Sequence, residues 1–422
     1  MATEGISKDS MRENMEGSAE LLCENSVFFD IIEGVQASCI DRSADSLLLS
    51  ISYQTDSEKP FSAAMRSSYY NSPIEKENIN LRDSVRDDLP ANQQSLLYWH
   101  GSAVIVRLLH LFMDLSGIYI LLAVVMGGLF LWLLILLFLR KRIAEAISLI
   151  VALICVSIWF VPFSLEYIWM FILALVVSIV AFWFAVTGRW RYMGAVFLIS
   201  GVLTNYLDFL TTETITLLVP ILLILSTIDE GVAKNLTGKK AGDGADGVGF
   251  VGRVRSVFAL KMSVLWGFGY VGMWLSKWLI ASLVLGENVM SYVPGHISEQ
   301  LGTADGSIFE AVFRNIGCLF PLDYGGAGKT ITIIVLAVIL IFCIVFRKKT
   351  IDVRKLLLYL VVGLIPYVRY LVLHNHANLN YFFTFRAQVA TILALGLIVH
   401  EVVDWSFRRP IGRTREKKQI EM

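Results

Sequence analysis

The stretch LHNHANLNYFFTFRAQ, residues 373–388, sets His374, His376 and Arg386 among three asparagines and four aromatics, between two long apolar runs. Arg369 lies just before it in PYVRYLVLH. Two guanidiniums with two imidazoles suit an anion, because the planar donor fork matches phosphate oxygens. The plainer alternative is hydrogen bonding that satisfies helix ends. A metal reading is weaker, since histidines two apart without a flanking carboxylate seldom hold zinc unaided. Lys277, in GYVGMWLSKWLIA, lies about 12 Å (~8 residues at ~1.5 Å rise) below the end of its apolar run, so it needs a partner or water unless it snorkels. Asp208, in LTNYLDFLTTET, is the natural partner, or else caps a hairpin together with Asn205 and Thr211. In CIDRSADSLLLSIS, Asp41 and Asp45 stand four apart beside Arg42 and share one helical face. For either residue alone, as for Trp99 and His100, a solvated capping role is the plainer reading. His100, next to Trp99 in LLYWHGSAVIVR, is a further polar candidate.

These residues must be positioned by membrane helices. The chain has 422 residues, is 56% hydrophobic and 17% charged, and has a mean hydropathy of +0.64, too apolar for a soluble domain. Apolar runs of roughly 17–25 residues predict an all-α integral membrane protein with about nine spans. They fall near 118–139, 143–161, 167–187, 192–206, 212–228, 258–285, 330–346, 354–373 and 384–403, the fourth and fifth forming a short hairpin. Alternate loops separate by charge: 22 Lys/Arg lie on one side, from Arg140 to Lys418, against Arg314 and Lys329 in the short loops opposite. The positive-inside rule makes the basic side, and the C-terminus, cytoplasmic. The expected layout is an exoplasmic arm with an interfacial helix (1–117, the helix at 106–116), a polytopic domain (118–403) with a cytoplasmic linker (229–257) and an exoplasmic loop (286–329), and a basic cytoplasmic tail (404–422). The lipid bilayer, at the plasma membrane, is the first partner implied.

The arm carries 17 Asp/Glu against 8 Lys/Arg in residues 1–100, mixed with apolar pieces such as SVFFDIIEGV, which predicts a folded helical cap. Nine spans with the C-terminus inside place this arm outside, yet no export signal precedes it, which predicts an N-terminal truncation of a ten-span protein. Five cysteines show no CxxC pair, so neither a disulfide framework nor a zinc site is indicated. GDGADG and GVGFVG fit a dinucleotide-binding glycine pattern but lack a preceding strand, and a flexible connector is expected there. GGAGKT has Asp323 where a phosphate loop needs its first glycine. No cofactor, metal or nucleic acid is implied.

The layout, with local texture in YWHG, LTNYLDFLTT and NHANLNYFFTFR, resembles the GT-C class of multi-spanning glycosyltransferases, in particular bacterial envelope proteins of that type. The resemblance implies sugar transfer from a polyprenyl-phosphate-linked donor to a cell-envelope acceptor on the outer face. It implies a first-loop carboxylate as base, Asp41 or Asp45 with Asp208 next in line. It also implies Lys277, Arg369 and Arg386, with His374 and His376, as donor-phosphate ligands. HNHANL also resembles the histidine motif of O-antigen ligases and polymerases. A transporter or flippase of lipid-linked intermediates is the alternative from another class; it predicts internal inverted repeats and helices broken at matched positions, and the sequence shows only Pro162, Pro220 and Pro366 breaking apolar runs.

Overall fold

The computed structural model describes residues 7–55, 59–238, 245–295, 298, 308–320 and 326–408. Most of the tail, the linker at 239–244 and the middle of the 286–329 loop lie outside the described residues. The chain is 77% helical, with two short two-stranded antiparallel ladders among the described residues.

The arm folds as a cap. Helix α1 (Arg12–Cys23) leads to strand β1 (Phe28–Asp30), which pairs with β2 (Cys39–Asp41) so that Phe28 faces Asp41. Helix α2 (Arg42–Gln54) follows, capped by Asp41, whose side chain accepts from Ala44 N at 3.0 Å. Helix α3 (Pro60–Arg66), β3 (Ser68–Tyr69), α4 (Glu77–Arg86), β4 (Gln93–Gln94) and α5 (Gly101–Leu109) complete it. Leu48, Leu49 and Ile51 of α2 meet Met15, Ala19 and Leu22 of α1 and Leu81 and Val85 of α4, and this core is continuous with that of the membrane helices. Where a flat interfacial helix was expected over 106–116, α5 ends at Leu109. Its apolar Ala103 and Val106 are buried against the core, and its buried Arg107 donates to the Ser52 carbonyl of α2.

Below the cap run α6 (Leu115–Leu139), α7 (Ile143–Cys155), α8 (Leu165–Val186), α9 (Met193–Leu207), α10 (Ile215–Leu225), α11 (Glu230–Thr237) and α12 (Ala245–Leu285). Then follow α13 (Ile308–Gly317), α14 (Gly328–Val345), α15 (Val353–Val372), α16 (His374–Leu379), α17 (Tyr381–Thr384) and α18 (Val389–Val402). Among the described residues, six helical segments are long and apolar enough to cross a membrane, seven if α10 and α11, bent by 114°, count as one. The other apolar stretches, α7, α9 and α10, have 13, 15 and 11 residues, short of the ~20 needed to span. The arrangement is that of a multi-pass membrane protein.

Helix α10 is buried along its whole length and α8 along most of it, so these two form the centre, whereas α6 and α14 present most of their surface outward. Helices α9 and α12 touch backbone to backbone: a Cβ on Gly201 would sit 2.0 Å from the Trp266 carbonyl oxygen, and one on Gly269 2.2 Å from that of Leu198. GVGFVG lies within helix α12 and is not a flexible connector; Gly249 and Gly252 leave room for the Arg354 side chain, which donates to the Gly249 carbonyl at 2.7 Å. The basic loops gather at the end away from the cap. There Arg142 donates to the Ser226 carbonyl at 3.2 Å, Arg255 pairs with Asp352 at 3.1 Å, and Lys348 donates to the His400 carbonyl at 3.1 Å.

Candidate functional site

The cap is fastened to the bundle through Asp45. Helix α8 begins at Ser164 with unfilled N–H groups and a positive dipole end, which attract a carboxylate. Asp45 supplies it from 120 residues upstream. Its oxygens accept from Leu165 N at 2.9 and 3.1 Å, Glu166 N at 3.3 Å, Ser164 Oγ at 3.1 Å and the Tyr119 hydroxyl at 2.5 Å. Burial raises its pKa to about 6, against the lowering effect of these donors. Its lone pairs are occupied by structural bonds, which makes it an anchor and a poor base.

Asp41 is placed differently. It caps α2 one turn earlier, is buried, and has its carboxyl pushed up to about 7, first by desolvation and then by the neighbouring Asp45. Within electrostatic reach of both stands Glu166, in the first turn of α8. Its Oε2 is buried without a hydrogen-bond partner. Arg386 faces the same junction, fully buried. It donates to the carbonyls of Phe382 and Ala37, both at 3.0 Å, and stacks 4.8 Å from the Tyr167 ring centroid. Arg386 Nε and the Tyr167 hydroxyl are also buried without partners. Buried polar groups left unpaired are costly, so their convergence at one seam marks a place built for something polar.

A second cluster occupies the α9–α10 hairpin tip. Asp208 accepts from Thr211 N at 3.2 Å and from the Thr211 hydroxyl at 2.5 Å, while burial and the nearby Glu213 push its carboxyl up to about 7. Arg369 reaches this tip from α15 and grips Glu213 with two prongs, at 2.5 and 3.0 Å, while donating to the Leu210 carbonyl at 2.5 Å. Asn205 Oδ1, Thr212 Oγ1 and Thr214 Oγ1 are buried there unpaired. Glu166 feels Asp208 as well as Asp41 and Asp45, so the two clusters form one acidic seam under the cap.

The cations expected to hold a phosphate each meet acceptors of the protein itself. Lys277 is fully buried and neither snorkels nor pairs with Asp208; its Nζ donates to the carbonyls of Ala64 and Met65 at 3.1 and 3.0 Å, closing the last turn of α3, with the Trp99 ring 5.4 Å away. Arg369 is held by Glu213 and the Leu210 carbonyl, and Arg386 by the carbonyls of Phe382 and Ala37. His374 is half-buried on α16, and His376 lies against Phe383, ring centroids 6.0 Å apart. His100 accompanies Lys277: it is buried, bonds Ser95 Oγ at 2.7 Å, and is pulled down to about 3 by burial, which keeps it neutral. Among the described residues no group of three or more His, Cys, Asp or Glu could hold a metal ion.

Glu166 and Glu213 were not singled out in the sequence. The signal was present: each is a lone carboxylate at the edge of an apolar run, in SLEYIWM and LTTETIT, where an ionisable residue demands a reason. Comparison with known proteins adds no relative: no family model, no curated protein and no solved structure matches the chain.

Proposed function

We propose that this protein transfers a sugar from a polyprenyl-phosphate-linked donor to an envelope acceptor, at the outer membrane face, in the seam between cap and bundle. In the reaction the acceptor oxygen bonds to the sugar's anomeric carbon, the bond from that carbon to the phosphate oxygen breaks, and polyprenyl phosphate leaves. The acceptor proton passes to Asp41. The observation that carries this reading is the buried junction of Asp41, Glu166 and Arg386. There a carboxyl poised near neutrality suits general base catalysis, and unpartnered donors and acceptors await a ligand. Arg386 offers its unpartnered Nε to the leaving phosphate, and Asp208 serves the same seam from the hairpin side.

A lipid substrate also fits the surroundings. A cavity of about 290 Å³ opens beside the seam, lined by Ile40, Arg42, Tyr119, Ile120 and Phe163. Exposed Ile31 of the β1–β2 hairpin and exposed Ile120 of α6 both line this cavity, and Val124 of α6 also faces outward. The test is turnover in liposomes with a panel of polyprenyl-phosphate-linked sugars. Asp41→Asn should lose at least ~100-fold in rate while still binding donor. Near-normal rates in both Asp41→Asn and Glu166→Gln would sink the assignment. The 114° break after α10, at the basic end of the bundle, favours a second reading, a transporter of the same lipid-linked anions. Movement of intact donor across the bilayer with no new glycosidic bond would establish that instead.

A further inference from the structure

At the end of the bundle away from the cap, two grooves meet at Arg191. One, of about 780 Å³, runs between α11, the start of α9 and α12, walled by Trp190, Leu236, Val257 and Phe258. The other, of about 980 Å³, runs up between α8 and α9, walled by Val176, Val180, Phe184, Val196 and Ile199. Both include Arg191 in their lining.

The cations here are distinctive. Arg253 and Lys261 lie eight residues apart on α12, so about 12 Å at ~1.5 Å per residue, and both border the first groove. Both are exposed, and neither takes part in an ion pair or side-chain hydrogen bond among the described residues. Arg191 faces them, its guanidinium donating to the Tyr192 hydroxyl at 2.5 Å and lying 4.6 Å from that ring's centroid. No carboxylate lines either groove. Arg189 stacks 5.5 Å from the Trp183 ring, and Trp190 and Tyr192 complete an aromatic belt of the kind found at a membrane–water boundary. The site is cationic at the boundary and apolar below it on both sides of α9.

We propose that this pair of grooves is a binding site for an anionic phospholipid of the leaflet at the basic end. Its phosphate lies against Arg191, Arg253 and Lys261, and its acyl chains occupy the two apolar channels. Charge complementarity selects the occupant: three cations with no acid among them favour an anionic headgroup over a zwitterionic one. The channels exclude a soluble phosphate, which would leave their apolar walls uncovered.

The test is native mass spectrometry of the protein released from nanodiscs of equal parts phosphatidylglycerol and phosphatidylcholine. The wild-type chain should retain phosphatidylglycerol in excess. The Arg191→Gln/Arg253→Gln/Lys261→Gln variant should lose affinity roughly fivefold per cation removed, on the order of 100-fold in all. Arg140→Gln/Lys141→Gln removes two exposed cations at the same end that line neither groove, and should retain lipid as the wild type does. Inorganic phosphate at millimolar concentration should not compete. The proposal is overturned by equal retention of the two lipids, by unchanged retention in the triple variant, by equal loss in the control variant, or by displacement with phosphate.

Discussion

Removing the Asp45 side chain should release the cap. In Asp45→Ala, Glu166 N keeps a partner, because the Ser164 hydroxyl also accepts from it at 3.2 Å. Leu165 N and the Tyr119 hydroxyl lose their only described acceptor. Stranding two buried donors costs about 1–3 kcal/mol each. Relief from holding a carboxyl in a fully buried site offsets part of this, leaving a net loss of about 3 kcal/mol. Asp45→Asn retains an oxygen for Leu165 N and a group that can meet the Tyr119 hydroxyl, so it should cost about 1 kcal/mol or less. A loss of about 3 kcal/mol raises the population with the cap undocked by roughly 100-fold, which limited proteolysis of the arm reads directly when opening is fast relative to cleavage. The expected order of cleavage rates is Ala far above Asn, with Asn near wild type. Cleavage of the Ala variant within twofold of wild type would refute the anchor. Equal damage from Asn and Ala would show that charge, not the number of acceptors, holds the cap.

The acidic seam should also make docking pH-dependent. Burial raises Asp41 to about 7 and Asp45 to about 6 in the folded protein, so the fold binds these protons more tightly than the unfolded chain does; the contribution is complete below the ordinary carboxyl range and fades as pH rises through 6 to 7. Protease protection of the arm should therefore be greater at pH 5 than at pH 8, and Asp41→Asn should flatten the profile. Arg369→Lys keeps the charge but breaks the two-pronged grip on Glu213, and thermal melting in detergent should show a loss of about 3 kcal/mol, near that of Glu213→Gln. A melting point unchanged by both substitutions would mean that the pair carries no load. Gly201→Ala should fail to pack α9 against α12, whereas Gly127→Ala, which meets nothing within 4 Å, should behave as wild type. Size-exclusion profiles and melting curves distinguish the two.

The sequence by itself determined the class of protein and much of its helical layout. A backbone cannot leave its polar groups unsatisfied in lipid, so long apolar runs must be helices, and that constraint is legible locally. It also showed a short hairpin at α9–α10 and placed Asp41 and Asp45 on one helical face, because spacing and run length are local facts. Only the tertiary structure decided what the charged residues do. Whether Asp45 is a free base or an anchor depends on the N-terminus of α8, 120 residues away. Whether Lys277 reaches Asp208 or the carbonyls of α3 depends on how the cap sits on α12. Glu166 and Glu213 gain their meaning in the same way, from Asp41 and Arg386 for the first and Arg369 for the second. Partners of a buried charge are chosen by which surfaces come together, and no local periodicity records that choice.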